Sequence, residues 1–282
     1  MNGLVSTIDI QQVNPADGQL PVANFRCSAS FINNLHMTTL DFLRDIKIHQ
    51  NKKGYRFSVD ALLLASFSER PAAKNIADFG TGSGIIGLLL AMKCPGAKVK
   101  LIELQEGLAR LAERNIVLNR LEERVGVIRM DIRSLSSDNG LGPSALHPLS
   151  FDLVVSNPPF RRINSGLINP DDEKAIARHE ILLSLEDLVK AGSALLKYHG
   201  RLCVIHLPER LAEIISVMSN NGLEVKRVRC VHSTASSDAK MLLIDAAKGA
   251  RAGMKIEKPL IIYNEDGSYT EEMQRYYGCG SL

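Results

Sequence analysis

From Asn75 onward, apolar residues alternate between two spacings. Short, nearly continuous apolar runs, "NIADFG" (75–80), "KVKLIEL" (98–104), "RVGVIRMD" (124–131) and "FDLVVS" (151–156), suit strands buried on both faces. Between them, "GIIGLLLAMKC" (84–94) and "QEGLARLAERNIVLNR" (105–120) carry apolar residues three and four apart and predict helices, the first closed by "PG". A Ser/Gly/Pro-rich stretch around 134–149 reads as a loop. Further on, "SLEDLVKAGSALLK" predicts a helix with Ser184 as N-cap and Asp187 at N3. The strand "GRLCVIHL", the helix "PERLAEIISVMSNNG" and the strand "LEVKRVRCVH" follow, with proline in the helix's first turn and glycine after its end. The last strand, "AKMLLIDAAK" (239–248), has no helix before it. Strand–helix alternation implies a doubly wound, mostly parallel seven-stranded α/β sheet, and the missing last crossover implies an antiparallel last strand. Residues 1–36 lack periodicity and contain the turn signal "NPADG", so they read as a loosely ordered leader, with a fresh start at Met37. The expected organisation is leader 1–36, cap segment 37–74, main domain 75–250 and C-terminal extension 251–282 packed on that domain.

Ligands of such sheets bind beyond the carboxyl ends of the strands, and the chemistry-bearing residues cluster there. "ADFGTGSGIIG" joins the first of these strands to its helix. Gly80, Gly82 and Gly84 permit a tight turn and close approach of backbone to ligand, with Thr81 among them. Gly82, Gly84 and Gly87 also satisfy G-x-G-x-x-G, a dinucleotide signal, and Glu103 ends the next strand where an acid grips ribose hydroxyls. Loop and acid together leave NAD and S-adenosylmethionine both open. Asp78 tilts the choice toward S-adenosylmethionine, because a carboxylate there suits an ammonium and a sulfonium and is ill placed beside a pyrophosphate. Asp131, ending the third strand, can accept from an adenine amino group.

The fourth strand ends in "SNPPF" (156–160). Two prolines cannot continue a ladder, so the strand stops there. Asn157 and the carbonyl of Pro158 are then held as acceptors able to take both hydrogens of a planar amino group. Such acceptors favour the pyramidal amine, freeing its lone pair for attack on a methyl group. Catalysis would come from positioning and electrostatics. Pro159 and Phe160 would flank and stack on a flat substrate, and Arg161 and Arg162 follow as contacts for phosphate or base.

"DFGTGSG" followed by "NPPF" resembles the class I S-adenosylmethionine-dependent amino methyltransferases, a Rossmann-like fold whose members act on adenine N6, guanine N2 or glutamine N5. "QNKKGYRFSVDALLLASF" (50–67), "NPPFRRINSGLINPDDEKAIARHE", "LPERLAEI" and "GSYTEEMQRYYG" resemble the bacterial tRNA1(Val) adenine-N6 methyltransferase family. That resemblance implies tRNA as partner, the adenosine beside the anticodon as acceptor, and Tyr55, Arg56 and Phe57 over the cofactor pocket; a packed N-terminal cap is the other reading of those three. The rival activities are release-factor glutamine-N5 and rRNA guanine-N2 methylation, and the non-enzymatic rival is a tRNA-binding module with a vestigial fold. The phenylalanine of "NPPF" replaces a commoner tyrosine and leaves stacking intact.

Composition adds bounds. Lys plus Arg number 34 against 31 acids, a net +3 that permits a nucleic-acid partner without requiring one. Lys52 and Lys53 are further candidates for phosphates. Lys226, Arg227 and Arg229 read as a solvated edge strand, and Arg178, His179 and Glu180 as the charged turn before a helix. The five cysteines are scattered without a C-x-x-C pair, which points away from a metal site and toward a reducing cytoplasm. No apolar run is long enough to cross a bilayer, the start carries no signal-peptide pattern, and no obligate protein partner is evident.

Overall fold

A computed structural model describes residues 38–43, 45–51, 59–135, 146–158 and 183–277. The main sheet begins with β3 (Asn75–Phe79), preceded by a hairpin, β1 (Thr38–Leu43) and β2 (Ile46–Asn51), and by helix α1 (Val59–Phe67). Then come α2 (Ile85–Lys93), β4 (Lys98–Glu103), α3 (Glu106–Leu118), β5 (Val125–Arg129) and β6 (Phe151–Ser156). The second half holds α4 (Leu185–Leu195), β7 (Leu196–His206), α5 (Leu211–Asn220), β8 (Leu223–His232), β9 (Ala239–Lys248), the two-residue strands β10 (Lys255–Ile256) and β11 (Leu260–Ile261), and α6 (Glu271–Tyr277).

The main path runs β5-β4-β3-β6-β7-β9-β8-β10. Strands β5, β4, β3, β6 and β7 pair in parallel, whereas β9 lies antiparallel between β7 and β8. The antiparallel last strand arises as expected: "STASSD" is too short to hold a crossover helix, so β9 must return as a hairpin. The sheet is wider than the expected seven strands, because β10 and β11 both pair with β8. These strands cover the edge that was expected to be solvated. Arg227 reaches Asp245 at 2.8 Å and Glu257 at 3.2 Å, and its guanidinium lies 4.2 Å over the Phe67 ring. Arg229 makes two 2.7 Å bonds to the Glu272 carboxylate. The third expected edge cation, Lys226, donates from Nζ to the carbonyl of Arg251 at 2.9 Å.

Two apolar clusters occupy opposite faces of the sheet. One joins the hairpin, α1, α2 and α3 to residues such as Ile76, Leu101 and Leu153; the other joins α4 and α5 to Ala77, Phe79, Ile102 and Val154. Alternate residues of β3, β4 and β6 therefore serve different cores, which is why these strands read as continuous apolar runs. Helix α2 approaches its strands very closely. A Cβ at Gly87 would lie 2.1 Å from Leu101 Cδ2, so any side chain there would force Leu101 to shift within the core. Helix α4 opens with the capping box read from the sequence: Ser184 Oγ accepts from Asp187 N–H at 3.1 Å, and the Asp187 carboxylate accepts in return from Ser184 N–H.

Candidate active site at the carboxyl ends of the parallel strands

Register places the sequence candidates side by side. Phe79 pairs with Ile102 on one flank and with Ser156 on the other. The glycine loop thus leaves β3 level with Glu103 and with Asn157, each about one strand spacing, ~4.8 Å, away. Ser156 Oγ donates to the carbonyl of Phe79 at 2.9 Å, tying the motif strand to the loop's root.

The loop is built around two buried carboxylates. Gly80, Gly82 and Gly84 have φ of +65°, +59° and +90°, a region that side chains disfavour. Asp78 is wholly buried, and its Oδ2 accepts from Thr81 Oγ1 at 2.5 Å and from Gly87 N–H at 3.0 Å. Its Oδ1 is buried with no hydrogen-bond partner among the described residues. Burial pushes the carboxyl up to about 7; the bonds from Thr81 and Gly87 oppose this, and the Glu103 charge adds to it. Glu103, 5% exposed, accepts from Gly82 N–H at 3.0 Å and from Gln105 N–H at 2.9 Å, so it fixes the turn of the loop. The loop unit is thus held by bonds of Asp78 to Thr81 and Gly87, of Gly84 to Thr81 and of Glu103 to Gly82, with Gly80 N–H donating to the Ile102 carbonyl.

Asp131 stands apart from that unit. It follows β5, and both its oxygens accept from the Arg133 guanidinium, at 2.9 Å and 2.5 Å to Oδ2 and 3.0 Å to Oδ1. Those bonds hold its carboxyl below the usual carboxylate range. Asn157 and Pro158 are half-buried at the end of β6. Pro159, Phe160, Arg161 and Arg162 lie outside the described residues, as do Lys52, Lys53, Tyr55, Arg56, Phe57, Arg178, His179 and Glu180.

Two groups near the site were missed from sequence. His206 ends β7, the strand beside β6, and is 1% exposed. Its Nδ1 accepts from Leu207 N–H at 2.8 Å, and its Nε2 lies 3.4 Å from Arg210 Nη1. Burial first, and then the Arg210 charge, lower its pKa to about 4, so it is neutral at physiological pH. Asn115 of α3, wholly buried, donates from Nδ2 to the carbonyl of Ser83 inside the glycine loop at 2.8 Å. The only sequence signal was its type: asparagine is a poor helix former, and here it stands on an otherwise apolar helix face.

A cationic nucleoside cofactor fits this arrangement. Among the described residues nothing lies within 4 Å of where a Cβ at Gly80 or Gly82 would stand, and Asp78, on the strand that leads into the loop, keeps one buried oxygen without a hydrogen-bond partner. Among the described residues no three His, Cys, Asp or Glu side chains group as metal ligands, and no helix is long and apolar enough to cross a membrane.

Comparison with known proteins agrees with this geometry. The family model described as methyltransferase small domain matches residues 58–208. A protein of Porphyromonas gingivalis named tRNA1(Val) (adenine(37)-N6)-methyltransferase is 31% identical over 244 residues, 84% of this chain and 93% of the relative. Among solved structures, the Agrobacterium tumefaciens protein Atu636, described as a predicted O-methyltransferase, superposes with a TM-score of 0.58 at 28% identity, covering 79% of this chain and 98% of that one. Pyrococcus horikoshii TYW2, solved in complex with MeSAdo, shares the fold at a TM-score of 0.52 and 15% identity, covering 76% and 72%. With a matched domain spanning more than half of the chain and a relative aligned along most of both sequences, the chain belongs to the methyltransferase small domain family and, within it, to the tRNA1(Val) (adenine(37)-N6)-methyltransferases.

Proposed function

We propose that the chain transfers a methyl group from S-adenosylmethionine to the exocyclic N6 of adenine in tRNA, at adenosine 37 of tRNA1(Val), in the cytoplasm. One observation carries this reading: the β3–β6 register sets the glycine loop and Asn157 side by side at adjacent strand ends. The cofactor, when bound, supplies an electrophilic methyl on a sulfonium. Asp78 offers negative charge to its cationic groups, Glu103 takes the ribose hydroxyls while holding Gly82, and Asp131 takes the adenine amine.

On the acceptor side, Asn157 and the Pro158 carbonyl accept the two amine hydrogens of the target adenine. The nitrogen lone pair is thereby turned out of the ring's π-system toward the methyl carbon. With the cofactor bound, transfer would form the N–C bond as the C–S bond broke, its electron pair going to sulfur, and the amine would then release one proton to water. No strong base is needed, so the rate comes from orientation and from fixed acceptors. Pro159 and Phe160 are assigned to contact with the flat base, which is already unpaired in an anticodon loop and costs little to splay.

Lys52, Lys53, Arg161 and Arg162 are assigned to the phosphates around the target. Four such contacts give log K falling with log[salt] at a slope of roughly −3. The test is tRNA affinity across a salt series for wild type and for a variant with charge reversal at Arg161 and Arg162, beside single-turnover methylation of unmodified tRNA1(Val) and of release factor. The variant should bind tRNA more weakly and with a shallower slope. A flat salt response with methyl appearing on release factor would reject the tRNA reading.

A further inference from the structure

The N-terminal hairpin is fastened to the domain by an unusual edge. On the side of β2 away from β1, the backbone groups of Lys47 and His49 bond to two side-chain amides of α3. Asn119 Oδ1 accepts from Lys47 N–H at 2.9 Å, and its Nδ2 donates to Lys47 C=O at 2.7 Å. Asn115 does the same for His49, accepting at 2.7 Å and donating at 3.0 Å. The spacings match: four helical residues rise ~6 Å, and two strand residues span ~6.7 Å. The helix thus supplies a substitute strand edge, with Leu43, Ile46 and Ile48 buried beneath the hairpin.

The two asparagines differ in one bond. The second Nδ2 hydrogen of Asn119 goes back to the carbonyl of Asn115 at 2.7 Å, within the helix. That of Asn115 goes to Ser83 C=O at 2.8 Å, between Gly82 and Gly84. One buried amide therefore touches the hairpin through two bonds and the glycine loop through a third, using both its hydrogens and its oxygen. Other bonds hold the loop near this point: Gly84 N–H, on the same peptide as the Ser83 carbonyl, donates to the Thr81 carbonyl at 3.0 Å, and Gly82 N–H donates to Glu103 at 3.0 Å.

We propose that Asn115 is a positioning residue that couples hairpin docking to cofactor binding. The orientation of the Ser83 carbonyl sets the conformation of the loop on which the cofactor lies, and the same amide sets the docked position of β2. A ligand that orders the loop then orders the hairpin, and by linkage a docked hairpin tightens the ligand by the same factor. Asn119 bonds the hairpin in the same two-bond manner, and none of its bonds among the described residues goes to the loop. This inference rests on the loop's role as the cofactor site.

Hydrogen exchange of residues 46–50 in the full chain, with and without S-adenosylhomocysteine at 100 times its Kd, tests the coupling without any substitution. Calorimetry first establishes that S-adenosylhomocysteine binds; absence of binding would overturn the cofactor reading and this inference together. With ligand bound, exchange of the hairpin amides should slow by about tenfold, below the ~100-fold ceiling set by that saturation. Unchanged exchange with ligand bound would overturn the coupling alone. Asn115→Leu should abolish the ligand-linked slowing and raise the Kd for S-adenosylhomocysteine by about tenfold, the value of one buried hydrogen bond. Asn119→Leu should speed hairpin exchange yet keep both the slowing and, within about twofold, the affinity. Should Asn115→Leu fail to fold, Asn115→Asp keeps the acceptor for His49 and loses both donors. Wild-type linkage in either Asn115 variant would overturn the proposal.

Discussion

Replacing Asp78 with asparagine isolates the charge on which the cofactor site turns. The carboxyl is fully buried and titrates at about 7, against an ordinary value of 3.8 that applies in the unfolded chain. A folded pKa above the unfolded one means that ionisation opposes folding. The penalty is absent below pH 3.8, grows as pH rises toward 7 and is constant above it. Over that interval it amounts to about 4 kcal/mol, an order-of-magnitude figure. The Asp78→Asn side chain would keep an acceptor for Thr81 and Gly87 and remove the penalty. Urea unfolding of the ligand-free proteins should therefore show the variant gaining on wild type as pH rises from about 4 to about 7, then running parallel to it. A cationic ligand has the opposite preference and selects the carboxylate. With half of Asp78 protonated at about pH 7, about one tenth is ionised at pH 6 and nine tenths at pH 8, so wild-type affinity for S-adenosylmethionine should rise about tenfold between them. Calorimetry in buffers of different ionisation enthalpy should register release of about half a proton at pH 7, and none from Asp78→Asn. Parallel stability curves from pH 4 upward, or affinity independent of pH, would refute the reasoning.

Other substitutions separate the parts of the site. Asn157→Ala should lower the methyl-transfer rate by about two to three decades while cofactor affinity stays within a few fold, because the contact acts on the acceptor amine; near-normal turnover would remove Asn157 from catalysis. Glu103→Ala should instead weaken cofactor binding by about 2–3 kcal/mol, through lost bonds to ribose and a loosened Gly82, and calorimetry showing unchanged binding would contradict this. Gly87→Ala should destabilise the fold by about 1–3 kcal/mol in denaturant titration, because its new Cβ would stand 2.1 Å from Leu101 Cδ2 in a closed core.

The sheet was legible because its strands are buried on both faces and carry their signal locally. "FDLVVS", "LEVKRVRCVH" and "AKMLLIDAAK" match β6, β8 and β9 residue for residue. The antiparallel return of β9 followed from a linker too short for a helix. The hairpin was not legible as strands: β2 completes its outer edge with Asn115 and Asn119, 66 and 72 residues away, and no local pattern announces such a partner. Strands of two residues, such as β10 and β11, have no periodicity to detect, so the cations of β8 were assigned to solvent although two of them are paired. In the site, glycines, acids and "SNPPF" declared themselves by type and position at strand ends. The tie of Asp131 to Arg133 did not, since a neighbour two residues on competes for the same oxygens only in the folded geometry.

The central claim, that the adjoining ends of β3 and β6 bring a sulfonium methyl to an adenine amine, is tested most directly on the product. The protein is incubated with methyl-labelled S-adenosylmethionine and bulk tRNA lacking the modification, and the labelled nucleoside is identified and mapped. Label in N6-methyladenosine at position 37 of tRNA1(Val) is the expected result. Label in N2-methylguanosine, label on protein glutamine, or cofactor binding with no transfer to any tRNA would contradict it.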